Sequence, residues 1–214
     1  MSQKITVLSG EILAGPSMTE SDLAECYDGL AQAARMIRSW QNAPVCFTRI
    51  GLTGWQIVLT PARSALREAL AMRAGLRAKG RQFDTAIAMV SGMGSVPPSR
   101  DLTRAEGLAF LTSLGILDSL KGARFGHGDG SELAAVARLV DHVSARWTAA
   151  QAKAVLPMFA PDAPTHSTVA DSLGITRQAV RQALMGAGYP ALSEALAEVE
   201  GAPAAQPMRT HAVA

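Results

Sequence analysis

Up to about residue 120 the chain alternates between two hydrophobic periods, and the order of that alternation restricts the fold more than any other feature. KITVLSGEIL (Lys4 to Leu13) is apolar and β-branched and runs into Gly15-Pro16, so it reads as a buried strand closed by a turn. From Thr19 the period becomes helical. Ser21 and Asp22 offer capping oxygens, and Leu23, Cys26, Tyr27, Leu30, Ala33, Ala34, Ile37 and Trp40 recur on one face. VCFTRI (Val45 to Ile50) and GWQIVLT (Gly54 to Thr60) are strand-like, with Gly51, Leu52 and Thr53 between them at hairpin spacing. Pro61 to Gly80 opens on Pro and closes on Gly, the usual helix asymmetry. Phe83 to Val90 is again a strand, SGMGSVPPS (Ser91 to Ser99) a loop, Leu102 to Leu120 a helix, and Ala123 to Ser131 a short strand or open loop. This βαββαβ order predicts an α+β domain, an antiparallel sheet with helices on one face in the ferredoxin-like arrangement.

From Glu132 onward the pattern is helical only, first Glu132 to Trp147 and then Thr148 to Phe159. The expected organisation is a mixed domain over 1–131, an all-α domain over 132–200, and a disordered tail over 201–214, rich in Ala and Pro and without an apolar face. Leu133, Val136, Ala137, Val140 and Val143 form a stripe that would pack internally or across a dimer.

Composition bounds the function. A content of 48% hydrophobic and 18% charged residues describes a compact soluble protein, and no run approaches the ~20 apolar residues that span a bilayer, so membrane insertion is not expected. The N-terminus has one Lys, and its apolar run is broken at Ser9, Gly10 and Glu11, which is not a secretory signal layout; a cytoplasmic location is expected. Cys26 and Cys46 lack CxxC spacing or a neighbouring His, so they read as reduced core thiols and no metal site is expected. A net charge of +2 does not identify a polyanion partner.

THSTVADSLGITRQAVRQALMGAGY (Thr165 to Tyr189) carries the strongest local signal. A first helix would turn Val169 and Leu173 inward, with Ala170 at the crossing of two axes. Gly174 can take the left-handed turn, Ile175 would plug the core, and Thr176 offers an N-cap. On the second helix Val180, Ala183 and Leu184 share one face, leaving Gln178, Arg181 and Gln182 opposite and Arg177 at the leading edge. At the small residue, the turn glycine and the apolar positions, the segment (about 165–186) resembles the helix-turn-helix of bacterial transcription regulators. The resemblance implies double-stranded DNA as partner, contacted by Ser167, Thr168, Thr176, Arg177, Gln178, Arg181 and Gln182. Gln pairs with adenine and Arg with guanine or phosphate. Against this, Thr148 to Glu200 carries Lys153, Arg177 and Arg181 opposite Asp162, Asp171, Glu194, Glu198 and Glu200. A second copy, a partner regulatory protein, or a second basic surface would then have to add affinity. Arg63, Arg67, Arg73, Arg77, Lys79 and Arg81, with Glu68 the nearby acid, could form that surface or simply a solvated helix face. The helix pair itself also reads as a device for packing against protein.

The element order, SGEILAG (Ser9 to Gly15) and LTGWQIVL (Leu52 to Leu59) resemble the SatD-like family, whose domain is similar to the nucleotidyl-cyclase fold and several of whose members carry a C-terminal helix-turn-helix. The resemblance implies that, in active enzymes of this fold, an acid at the end of the first strand and another in the hairpin hold Mg²⁺ against nucleotide phosphates. The matching positions here are Glu11 and Thr53, and Thr53 cannot carry the charge. Catalysis and a cofactor are therefore not expected, whereas a relic site that binds a nucleotide or another small-molecule ligand is compatible with the pattern. Glu11 also reads as an exposed acid at a strand end.

SGMGS (Ser91 to Ser95) lacks the Lys and spacing of a P-loop, His127 and Asp129 in GHGDG have no third ligand nearby, and no GxSxG occurs. Trp40, Trp55 and Trp147 read as core anchors, and Met89 and Met93 as core fillers. The expected function is transcriptional regulation through DNA binding, with the first domain serving dimerisation, partner docking or ligand sensing. The alternative is a nucleotide-binding protein or enzyme of the cyclase-like class.

Overall fold

The computed structural model describes residues 2–13, 18–40, 44–121 and 124–201. The Gly15-Pro16 turn and the tail beyond residue 201 lie outside them. The elements are β1 (Gln3–Ile12), α1 (Glu20–Ser39), β2 (Cys46–Ile50), β3 (Gly54–Leu59), α2 (Leu66–Arg77), β4 (Thr85–Gly94), a 3₁₀ turn (Leu102–Arg104), α3 (Leu108–Ser119), β5 (Phe125–His127), α4 (Ser131–Ser144), α5 (Ala149–Met158), α6 (His166–Leu173), α7 (Arg177–Gly186) and α8 (Tyr189–Glu200). Among the described residues no helix is long and apolar enough to cross a membrane.

The five strands lie in the order β2-β3-β1-β4-β5. The first four pair antiparallel in the ferredoxin-like sequence, and β5 adds parallel to β4. Alternation along β1 decides which residues meet which layer. Leu8 pairs with Ile57 and Met89, and Gly10 with Trp55 and Ile87; these residues face α1 and α2. A Cβ on Gly10 would lie 2.2 Å from the Trp55 ring, so only glycine leaves room for that indole, whose Nε1–H donates to Thr85 Oγ1 at 2.9 Å. The two helices approach at Gly29 and Gly75, where a Cβ on either would stand 2.5 Å from the other's carbonyl oxygen. Thr19, where the helical period begins, is the N-cap of α1, and Thr19 and the expected capping residue Asp22 cap each other's backbone N–H groups.

The opposite face is covered too, which the one-sided arrangement did not foresee. Ala109 and Phe110 of α3 pack on Ile5, Val7 and Val58, and Ser113 Oγ lies 2.8 Å from Ser9 Oγ, which also accepts from Gln56 Nε2 at 3.0 Å. Ser91 to Gly94 are strand rather than loop. β1 is long enough to pair with β4 from Gln3↔Gly94 to Ile12↔Thr85, and Gly92 lets Ala109 sit close to the sheet. The second helix begins at Leu66, not at Pro61. Thr6 Oγ1 accepts from the Arg63 N–H and donates to its carbonyl, both at 2.8 Å, so this segment's polar groups are satisfied by β1 instead of by a helix.

The apolar core continues from the sheet into the helices that follow, through Trp147, Phe159, Leu184 and Leu196. Trp147 Nε1–H donates to the Ala187 carbonyl at 2.8 Å, and Tyr189 Oη–H to the Met158 carbonyl at 2.8 Å, tying the end of α7 to the turn between α4 and α5, and α8 to the end of α5. α4 ends at Ser144 rather than Trp147. Arg73 takes the Asp141 carbonyl and Arg77 the Ala145 carbonyl, so side chains from α2 terminate the helix. Of the expected α4 stripe, Ala137 and Val140 are buried and Leu133 and Val136 are packed, but Val143 is 38% exposed.

Candidate nucleic-acid interface

α6 and α7 are set by local chemistry. Thr165 Oγ1 caps α6 by accepting the Thr168 N–H at 3.2 Å. The helix closes on Gly174 at φ 65°, with the Ile175 N–H reaching back to the Ala170 carbonyl at 3.1 Å. Thr176 is extended and caps α7 by accepting the Ala179 N–H at 3.1 Å. Val169, Ala170, Val180 and Leu184 are buried, with Leu173 and Ala183 packed beside them. Ile175 departs from expectation. It does not plug the core but is 44% exposed, because Val169, Ala170 and Val180 already fill the interior that the helix pair shares.

Ser167, Thr168, Thr176, Arg177, Gln178, Arg181 and Gln182 are all exposed. The Thr176 hydroxyl accepts its capping bond and keeps its proton to donate. Neither Arg177 nor Arg181 makes an ion pair among the described residues. His166 joins them, a neighbour that sequence reasoning missed. Partial burial first, then the positive charges of Arg177 and Arg181, lower its pKa below the ordinary imidazole value. The start of α6 thus lies beside the two guanidiniums of α7, with exposed hydroxyl and amide side chains around them.

The basic run on the second helix is not a second such surface. Arg63 pairs with Glu68 at 3.6 Å, and Arg67 grips Glu200 through Nε at 2.8 Å and Nη2 at 2.6 Å. Arg73 is fully buried between Asp84 (3.0 Å) and Asp141 (2.7 Å), its guanidinium 4.1 Å from the centre of the Phe125 ring. Arg77 also pairs with Asp84, at 2.8 Å. Lys79 and Arg81 are the members left exposed. Arg67, Arg73 and Arg77 fasten the helices from α4 onward to α2.

At the sheet end, Thr53 Oγ1–H donates to Glu11 Oε1 at 3.2 Å, so the two relic positions do meet. They do not suit Mg²⁺, which in such sites is held by paired carboxylates in a tight oxygen shell. Here one carboxylate faces a hydroxyl, and Asp84, at the same end of the sheet, is committed to Arg73, Arg77 and Arg124. Among the described residues no three of His, Cys, Asp or Glu gather as metal ligands. His127 is a structural lock: it lies 2.6 Å from the Ser64 carbonyl through Nε2 and accepts the Asp129 N–H at Nδ1, while Asp129 receives the Ser91 N–H at 2.8 Å. Both cysteines are buried and free, and Met93 is 53% exposed rather than core. A cleft of about 460 Å³ lies where the start of α2 meets the end of α8, bordered by Trp40, Arg63, Glu68 and Glu200.

No protein-family model matches the chain, and no curated protein matches it by sequence. Solved structures with a similar arrangement include the guanylyl cyclase Cya2, at 12% identity over 59% of this chain and 75% of that chain, with a TM-score of 0.44. Another is the catalytic core of a rhodopsin-guanylyl cyclase with converted specificity in complex with ATPαS, at 12% identity over 60% and 80% of the two chains, with a TM-score of 0.42. Likenesses of this size carry no argument about activity or assembly.

Proposed function

We propose that the protein is a DNA-binding transcriptional regulator that reads double-stranded DNA with α6 and α7. The observation that carries this reading is the outer face of α7, where Arg177, Gln178, Arg181 and Gln182 are exposed, the two guanidiniums have no carboxylate partner among the described residues, and a Gly174 turn and Thr176 cap fix the helix start. In this reading Gln178, Arg181 and Gln182 meet base edges in the major groove, and Ser167, Thr168, Thr176 and Arg177 meet phosphates. The first domain serves dimerisation, partner docking or ligand sensing, with the cleft beside Arg63 and Glu68 as the place for a small molecule. The test is a salt-titrated binding assay on genomic fragments. Wild type should select sequences, and Arg177→Ala/Arg181→Ala should weaken the selected site by roughly tenfold to a thousandfold, as about 1–3 kcal/mol per specific contact requires. Equal binding by both proteins, or no selection, would overturn the reading.

The Glu11–Thr53 contact supports a second reading, nucleotide binding by the first domain without turnover. ATP and GTP titrations of wild type and Glu11→Gln decide it: binding lost in the variant supports it, and no binding by wild type removes it.

A further inference from the structure

α3 is apolar on both sides. Ala109, Phe110 and Ser113 face the sheet, while Leu108 and Leu111 are each 70% exposed and Leu114 is 45% exposed. No charged residue occurs from Leu108 to Leu117. A helix that is hydrophobic all round is ordinarily buried on all sides. Leu108, Leu111 and Leu114 recur every three residues and form one stripe. Gly115 lies beside it with nothing within 4 Å of where a Cβ would stand, so another backbone can come close there.

We infer that this stripe is an interface with a second copy of the same chain, the two α3 helices packing antiparallel about a twofold axis at Leu111. The leucine stripe is self-complementary in that orientation, and the charges at its two ends favour it over a parallel one. Leu108 and Leu114 stand three positions before and after Leu111, and an exposed cation, Arg104 in the 3₁₀ turn ahead of the helix, and an exposed acid, Asp118 in its last turn, lie at opposite ends. Antiparallel pairing sets Leu108 against the partner's Leu114, Leu111 against the partner's Leu111, and the Arg104 end against the partner's Asp118. Parallel pairing would instead bring Arg104 to the partner's Arg104 and Asp118 to the partner's Asp118. Antiparallel helices also set each N-terminus beside the partner's C-terminus, which their dipoles favour. The contact is isologous and closes as a dimer, leaving no open apolar edge. It stands apart from the DNA-binding reading, since it requires no DNA.

Sedimentation of the full chain without DNA tests it. Wild type should sediment at twice the chain mass in the micromolar range. Leu111→Arg should raise the dissociation constant by at least about thirtyfold, as for a central interface residue. Leu111 is 70% exposed in the single chain, so the melting curve of dilute Leu111→Arg should match wild type, separating interface loss from misfolding. Arg104→Asp and Asp118→Arg should each weaken the dimer, and the double reversal should restore it. A monomeric wild type, a Leu111→Arg chain that stays dimeric, or a double reversal no stronger than the single changes would each overturn the inference.

Discussion

Replacing Asp84 with Ala tests whether buried charge holds α4 against α2 and the sheet. Asp84 Oδ1 accepts Arg73 Nε–H at 3.0 Å, and Oδ2 lies 2.8 Å from Arg77 Nη2 and 3.3 Å from Arg124 Nε. Oδ1 also takes the Thr85 N–H at 2.8 Å. Once it is removed, Arg73 remains fully buried with Asp141, the Asp141 carbonyl and Ser144 Oγ as its polar neighbours. Asp141, 2.7 Å away, is then one carboxylate where there had been two, so it compensates only in part. Burial pulls the Arg73 guanidinium toward losing its proton, and Asp84 is the first of the charges opposing this. Removing one member of a buried pair costs about 3–5 kcal/mol, and a stranded N–H such as that of Thr85 adds about 1 kcal/mol. Since each kcal/mol lowers the melting point of a chain this long by roughly 2–4 °C, a fall of about 10 °C or more is expected in thermal unfolding followed by circular dichroism. Asp84→Asn, which keeps an acceptor for Thr85, should fall less. An Asp84→Ala protein within about 1 kcal/mol of wild type would refute the argument, because it would show that the network adds no more than an exposed ion pair does.

Three further perturbations probe packing, backbone and ionisation. Gly10→Ala forces a methyl to within 2.2 Å of an indole that is 1% exposed, so it should cost about 3 kcal/mol or more in urea unfolding and shift tryptophan emission, and wild-type stability would contradict the close approach. Gly174→Ala meets open space, so its cost should be the left-handed backbone alone, about 1–2 kcal/mol; an unchanged melting point would show that the turn relaxes. Burial, followed by the charges of Asp22 and Glu25, pushes the Cys26 thiol from 9.0 up to about 11. The folded state therefore holds this proton more tightly than the unfolded one, and the stability it confers is complete below about pH 9 and disappears as the pH rises toward 11. Iodoacetamide at pH 8 should label Cys26 slowly in the native protein and quickly in urea, and equal rates would refute the shift.

The sequence made most of the fold legible wherever the signal was local. The strand and helix periods, the hairpin at Gly51 to Thr53, the Gly174 turn and the Thr176 cap all lie within a few residues of the structure they specify. What escaped depended on partners remote in the chain. Arg67 and Arg73 looked like a solvated basic face because Glu200 and Asp141 stand 133 and 68 positions away. Ser91 to Gly94 looked like a loop because its glycines are required by a helix that follows, with Gly92 beneath Ala109. His166 gave no signal because its relation to Arg177 and Arg181 exists only once α6 and α7 have packed.

Those remote pairs change the charge argument about DNA. Glu200 is neutralised by Arg67, which leaves Asp162, Asp171, Glu194 and Glu198 against Lys153, Arg177 and Arg181 between Thr148 and Glu200. One module then offers at most these three cations to phosphate. With a slope near −0.9 per neutralised phosphate, a single copy should give log K against log salt no steeper than roughly −3, and two copies on one site roughly twice that. The slope therefore counts modules. A shallow slope with clear sequence selection would assign recognition to one α7 acting alone. A slope near −5 that falls to half its value in Leu111→Arg would require both copies, joined through α3. In that case the weak positive charge of each module is supplemented by the high effective concentration of the second rather than by any further basic surface on the first domain.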